Sequence, residues 1–354
     1  MTDNDISVEL RDSVGAAYAA GGALCISGGG SKAFYGRAVH GTALAVGDHR
    51  GIVRYEPTEL VITARAGTRL VEIEQTLDQH GQMLAFEPPH YGDSATLGGT
   101  IACNLSGPRR VSAGAARDFV LGSRILNGRG EILSFGGEVM KNVAGYDVSR
   151  LMCGALGTLG VLLEVSLKVL PRPETETTLS LELDALYALT RLHDWARQPL
   201  PVSASCHDGS NLYVRLSGAR GAVEAARKLI GGDVIAEGGQ FWRRLREQQS
   251  GFFVAQQPLW RLALASDTPP LPLEGKWLYE WGGALRWLVS GAAPERIRAA
   301  AEAAGGHAVL YRGGDRTGAV FHPLPAALMA VHRKLKQAFD PGGILNPGRM
   351  YPDL

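Results

Sequence analysis

The sequence has too few cysteines for a metal cluster or a disulfide framework. Its four, Cys25, Cys103, Cys153 and Cys206, stand far apart and form no CxxC pair, so an iron–sulfur or zinc site built from this chain alone is excluded. Small buried apolar roles in a reducing compartment suit them better. An excess of one charge is also missing. With 36 basic and 35 acidic residues the net charge is +1, which leaves no nucleic-acid footprint and no polybasic membrane tether. No run approaches the roughly 18 apolar residues of a membrane span. The start, Met1-Thr2-Asp3-Asn4-Asp5, is acidic and lacks the apolar region of a signal peptide. The expectation is a soluble, cytoplasmic chain.

What is abundant is glycine. Its 46 residues cluster around positions 28–30, 98–99, 136–137 and 154–160, as backbone does where it must turn tightly or approach a ligand. Hydrophobic residues at 45% and charged residues at 20% fit an ordinary globular enzyme large enough for two domains. Residues 8–20 read as a helix with Leu10, Val14, Ala17 and Tyr18 on one face and Ser7 as its N-cap. Ala23–Ile26 and Leu60–Ala64 read as strands, Leu70, Ile73 and Leu77 mark a helix, and Phe119–Leu126 with Glu131–Phe135 form a hairpin across Asn127-Gly128-Arg129-Gly130. A long strand-like run, Leu159–Leu170, stops at Pro171-Arg172-Pro173. Beyond it strands and helices alternate without glycine clusters. A last helix has Leu324, Leu328, Val331 and Leu335 on one face and stops before Asp340-Pro341-Gly342-Gly343.

Three stretches carry chemistry. Ser27-Gly28-Gly29-Gly30-Ser31-Lys32 follows a strand and offers bare N–H groups that can wrap a phosphate. It is neither a Walker loop, because Lys32 follows Ser31, nor a Rossmann fingerprint, because the next glycine is Gly36; taken alone it is equally a tight turn. The stretch from Pro88 to Gly107 is dominated by small residues and carries Asn104, which suits either a flat cofactor or a helix packed closely on a sheet. The third joins Met140–Asp147 to Gly154-Ala155-Leu156-Gly157-Thr158-Leu159-Gly160-Val161, where backbone amides can meet an adenine edge.

In this order and at these intervals, the three stretches resemble the FAD-binding domain of the vanillyl-alcohol oxidase/p-cresol methylhydroxylase (PCMH-type) family over roughly residues 1–173. The closing Phe339-Asp340-Pro341-Gly342-Gly343-Ile344-Leu345-Asn346-Pro347-Gly348-Arg349 is similar to that of the family's 2-hydroxyacid dehydrogenases. Within the family, the first and third stretches look most like the FAD-binding subunits of bacterial glycolate-oxidising complexes. The resemblance implies an α+β fold: an FAD-binding domain of two α/β subdomains over 1–173, a smaller α+β cap for substrate or partner docking over 174–320, and a C-terminal helix and closing segment over 321–354 that return to the flavin domain. It implies Gly28, Gly29, Gly30, Ser31 and Lys32 at the pyrophosphate. Thr96, Leu97, Gly98, Gly99, Asn104 and Gly107 would lie along pyrophosphate and isoalloxazine, Gly145, Tyr146 and Asp147 beside the flavin, and Gly160 and Val161 at the adenine. Some relatives tether flavin through histidine or cysteine in the first loop; residues 27–33 contain neither, so FAD is expected to be non-covalent. The partners implied are a second flavoprotein subunit and an iron–sulfur subunit that receives electrons through the flavin, and the substrate implied is glycolate.

The sequence also departs from the family. Dehydrogenases that act alone carry a C-terminal H-x-x-x-G-D-G-N-x-H metal cluster; Leu310–Gly318 offers arginines and no HxH. Leu156 stands where the family's G-S-E-G-T-L-G has its acid. Both argue against metal-assisted catalysis by this chain alone, and no metal site or catalytic base is assigned. His90 reads as a loop histidine and His332 as a helix-face one. Cys206-His207-Asp208 is no nucleophile cluster, because adjacent residues rarely face one another. Arg109 and Arg110 could hold a carboxylate, with a salt bridge the plainer use. Trp242, Phe252, Phe253 and Trp260 are either a docking face or core. Two other readings stay open: a free-standing FAD-dependent dehydrogenase of another small alcohol or acid, and a scaffold whose FAD is structural or lost.

Overall fold

The computed structural model describes residues 3–137 and 145–354. Met140–Ala144, part of the third glycine-bearing stretch, lie outside the described residues. The chain divides into two compact units, one of residues 1–105, 115–171 and 317–354, the other of 106–114 and 172–316. The short segment Ser106–Gly114, inside the stretch assigned to the first domain from sequence, packs with the second unit.

In the first unit, the helix Ser7–Ala20 buries Leu10 and Val14 and closes on Gly21 in the left-handed conformation (φ 66°). Ser7 is not its N-cap. It is the first helical residue; the N-cap position is Ile6, which makes no side-chain cap hydrogen bond, and the Ser7 N–H donates to Asp5 Oδ1 at 2.9 Å. Strands Ile52–Glu56, Val61–Arg65, Val161–Lys168, Val120–Leu126 and Ile132–Gly136 form an antiparallel sheet in that order. Its centre is Val/Leu/Ile-rich and buried, as two-sided burial of a central strand demands. The hairpin turn is set by Asn127, whose Oδ1 accepts the N–H groups of Arg129 and Glu131 at 2.9 and 3.0 Å. A separate parallel pair, Leu24–Ser27 with Thr42–Ala45, is flanked by the closing segment: Leu24 N–H donates to Ile344 O and Asn346 N–H to Leu24 O.

A buried histidine makes this unit acid-sensitive. His49 is fully buried, its Nδ1 accepts the Ile6 N–H at 3.2 Å, and Asp5 lies 3.6 Å away. Burial holds its pKa below the ordinary histidine value despite the pull of Asp5. The folded state therefore keeps the ring neutral while the unfolded chain takes up a proton near pH ~6.5. The unfolded state binds more protons in that window, so stability falls as pH drops below about 6.5 and the loss ends below the lowered folded pKa. Denaturant unfolding at pH 7.5 and 5.5 is expected to show this drop in the wild type, and a smaller one in His49→Asn. An equal drop in both would remove His49 as the cause.

In the second unit, eight strands form one antiparallel sheet in the order 233–234, 175–182, 211–218, 202–207, 276–280, 285–289, 259–263, 307–312. Two apolar cores sit on it. One joins Leu179, Leu212, Val214 and Leu216 to the helices Ala185–Ala196 and Arg220–Ile230; the other joins Trp260, Leu262 and Leu288 to the helix Pro294–Ala303. Strands segregated from helices in this way give the α+β class. Trp242, Phe253 and Trp260 are buried, so they are core and not a docking face; Phe252 is half-buried on a cavity of about 890 Å³ beside the helix Gly238–Arg246. Among the described residues no helix is long and apolar enough to cross a membrane.

Candidate functional site

The first loop and the small-residue stretch interlock. Gly28-Gly29-Gly30 runs out of the strand Leu24–Ser27 directly against residues 94–96. A Cβ on Gly28 would sit 2.4 Å from Thr96 Oγ1, and one on Gly29 would sit 1.4 Å from Ser94 O. Thr96 caps the following helix Leu97–Cys103 by accepting the Gly99 N–H at 3.3 Å. That helix is pressed close by its own glycine, since a Cβ on Gly98 would fall 2.7 Å from the Ala66 methyl. Small residues are required here because backbone packs on backbone.

Two adjoining cavities open along this contact. One, of about 150 Å³, is lined by Ser27 to Ala33, Thr96, Gly99, Cys103, Asn346 and Arg349. The other, of about 80 Å³, is an apolar slot between Val46, Ala66, Gly98, Ala102, Ala155, Val161 and Leu162, with Gly157 and Gly160 at its side. They share seven residues, Gly28, Thr96, Gly99 and Asn346 among them. The first holds the cations Lys32 and Arg349 beside the backbone of the glycine loop; no charged side chain lines the second. Lys32 in the first is 7% exposed, with Nζ near Ser31 Oγ and His90 O at 3.4 and 3.3 Å. Together they suit a ligand that joins an anionic group to an aromatic one.

Of the residues singled out from sequence, Gly28, Gly29, Gly30, Ser31, Lys32, Thr96, Gly98, Gly99, Gly160 and Val161 line these cavities. The others do not. Leu97 is buried in the packing beneath. Asn104 ends its helix in the left-handed conformation, and its Oδ1 accepts the Arg117 N–H at 3.2 Å. Gly107 belongs to the second unit, where its carbonyl accepts from Trp281 Nε1 at 3.0 Å. Gly145 is in a left-handed turn, Tyr146 is 97% exposed, and Asp147 caps the short helix Val148–Leu151 through the Arg150 N–H.

Sequence reasoning missed the closing segment as part of the site. Asn346 bridges two walls: its Oδ1 accepts the Ile26 N–H at 2.8 Å and its Nδ2 donates to Leu156 O at 2.7 Å. The Asn346-Pro347-Gly348-Arg349 motif was visible, but only the fold brings it beside the first loop from some 320 positions away. Cys25 and Cys103 also line the polar cavity, and burial pushes the Cys103 thiol up to about 11, so it stays an unreactive thiol.

The side chains weighed as chemical groups have structural partners. His90 Nε2 lies 3.2 Å from Glu74 Oε1, His207 Nε2 bonds Leu183 O at 2.8 Å, Arg109 pairs with Glu176, and Arg110 stacks on Trp281 at 4.4 Å. Among the described residues no three His, Cys, Asp or Glu side chains gather as a metal would need.

Comparison with known proteins adds the following. The FAD binding domain model matches residues 7–136, and the C-terminal domain model of FAD linked oxidases matches residues 322–350. The glycolate oxidase subunit GlcE of Escherichia coli (strain K12) is 53% identical over 354 residues, covering the whole of both chains. The glycolate oxidase subunit GlcD of Bacillus subtilis (strain 168) is 35% identical over 130 residues, 36% of this chain and 27% of that one. Among solved structures, an alkyldihydroxyacetonephosphate synthase shares the fold with a TM-score of 0.65 at 15% identity, over 96% of this chain and 74% of the other.

Proposed function

The chain belongs to the FAD-linked oxidases, in the family of the glycolate oxidase subunit GlcE, and on that footing we propose that it is the FAD-binding subunit of a complex that oxidises glycolate to glyoxylate. The observation that carries this reading is the pair of adjoining cavities that share Gly28, Thr96, Gly99 and Asn346. A compartment holding two cations, Lys32 and Arg349, beside one lined by no charged side chain suits the diphosphate and the adenine of one FAD. Gly28, Gly29, Gly30, Ser31 and Lys32 hold the diphosphate through backbone N–H groups and one ammonium. Gly98, Gly99, Gly160 and Val161 leave room for the adenine face. No histidine or cysteine stands in residues 27–33, and the Cys103 thiol stays protonated, so the flavin dissociates.

When bound, FAD supplies the two-electron acceptor that the oxidation requires, and the protein's part is to hold and tune it. The four separated cysteines provide no ligand set for a cluster. Electrons therefore leave through partners, a second flavoprotein subunit and an iron–sulfur subunit, in a cytoplasmic assembly whose contact with the inner membrane, where there is one, runs through those partners.

Anaerobic addition of glycolate tests this. The expected result is that the FAD-loaded chain alone keeps its flavin absorbance, and that the flavin bleaches once both partner subunits are present. Rapid bleaching of the chain alone would make it a free-standing dehydrogenase, and no bleaching in the complete complex would leave it a scaffold.

A further inference from the structure

The closing segment carries a second cation into the site. Arg349 lines the polar cavity together with Ser27 to Lys32. Its guanidinium is anchored on neutral groups: Nη1 donates to Arg37 O at 2.8 Å and Nη2 to Ala33 O at 3.0 Å. The contact is reciprocal, since Arg37 Nε donates to Gly348 O at 3.0 Å and the Arg37 N–H donates to Arg349 O at 2.9 Å. Gly36 makes the approach feasible, because a Cβ there would lie 3.1 Å from Arg349 Nε.

Among the described residues no carboxylate pairs with Arg349, and burial pulls its pKa below the ordinary arginine value, with only the Cys103 and Cys25 thiols nearby to counter it. It remains a cation. A partly buried charge with only carbonyl dipoles as partners is an unfinished arrangement, since buried charges are ordinarily paired. Two of its five N–H groups are used, and the other three have no partner among the described residues.

We propose that Arg349 is the second cation that binds the FAD diphosphate, opposite Lys32, and that the closing segment completes the cofactor site by placing it there. The inference rests on the reading of this site as an FAD site. Two cations for the two negative charges of a diphosphate balance the compartment, and the fork of the guanidinium suits phosphate oxygens.

The test compares FAD with riboflavin, which has the same ring system and no phosphate, by fluorescence titration of the full chain freed of flavin. Arg349→Gln is expected to weaken FAD about 10- to 100-fold, the range of a charged hydrogen bond, while changing riboflavin affinity less than about twofold. Arg349→Lys, which keeps the charge, is expected to recover most of the loss. Salt gives a second readout independent of riboflavin's own affinity: loss of an ionic contact makes FAD affinity less steeply dependent on ionic strength in Arg349→Gln than in the wild type. Equal weakening of FAD and riboflavin, or an unchanged salt slope, would make Arg349 a structural anchor only and overturn the proposal. A wild-type chain that takes up no FAD would overturn the reading beneath it as well, which sets the two failures apart.

Discussion

Gly29→Ala is expected to empty the flavin site. The added methyl would sit 1.4 Å from Ser94 O and 2.5 Å from Ser94 C, inside backbone that has no rotamer to yield. Either residues 27–32 or residues 94–96 must move, and both Gly29 and Thr96 line the polar cavity. Overpacking of this kind costs about 1–3 kcal/mol, which predicts FAD binding weakened by roughly 10- to 100-fold if the whole cost falls on the bound form. Gly30→Ala is the control. Nothing lies within 4 Å of the Cβ it would add, and only its left-handed φ of 73° resists the change, so it is expected to lose less. Flavin content after purification and FAD titration decide the matter. Gly29→Ala with full flavin content, and FAD affinity no weaker than Gly30→Ala, would mean that the two loops do not press together as described.

The second large effect is expected far from the glycine loops in sequence. Lys336 is buried on the helix Ala326–Phe339, and its Nζ donates to Asp340 Oδ2 at 2.7 Å, Leu345 O at 2.8 Å and Thr158 O at 2.9 Å. The Asp340 carboxylate in turn accepts the N–H groups of Ile344 and Leu345 at 3.1 and 2.8 Å. One buried ion pair thus holds the closing segment against the loop that ends at Thr158. Burial draws the lysine pKa down while Asp340 opposes the shift. Lys336→Met leaves the Asp340 carboxylate buried without its cation, and breaking a buried pair from one side costs about 3–5 kcal/mol. Thermal and denaturant unfolding should show a loss of that size. Removing both charges in Lys336→Met/Asp340→Leu should cost less than the two single variants added together, because the second substitution relieves the orphaned charge. Strict additivity would show that the pair is not coupled.

That helix also marks where the sequence misleads. Leu324, Leu328, Val331 and Leu335 form an apolar stripe, which is ordinarily the face that packs. In the fold Leu328 and Val331 are 44% and 50% exposed, while Lys336 is buried among carbonyls and a carboxylate. Periodicity counts hydrophobicity and cannot see that a lysine has three acceptors waiting. Most strands and helices were legible because their signals are local: the central Val161–Lys168 strand is an apolar run, and Asn127-Gly128-Arg129-Gly130 is a turn by composition. The N-cap falls on Ile6, one residue before Ser7, and Asp5 rather than Ser7 supplies the nearby acceptor; both are capping types, and only geometry chooses between them.

The site was legible in part for the same reason. Gly28 to Lys32, Thr96, Gly98 and Gly99 could be picked out because bare backbone is written as glycine and small residues. Asn346 and Arg349 contribute through contacts over more than 300 positions, which no local pattern encodes. Tyr146 and Asn104 lie in motif-like stretches, yet one points to solvent and the other closes a helix.

This chain by itself is expected to hold one dissociable FAD. This is tested most directly by acid precipitation of the purified, FAD-saturated chain, followed by the absorbance spectrum of supernatant and pellet. About one FAD per chain is expected, all of it free in the supernatant. Flavin retained in the pellet would show a covalent bond that the first loop cannot make, and a colourless chain that takes up no FAD would rule out a flavin site in this chain.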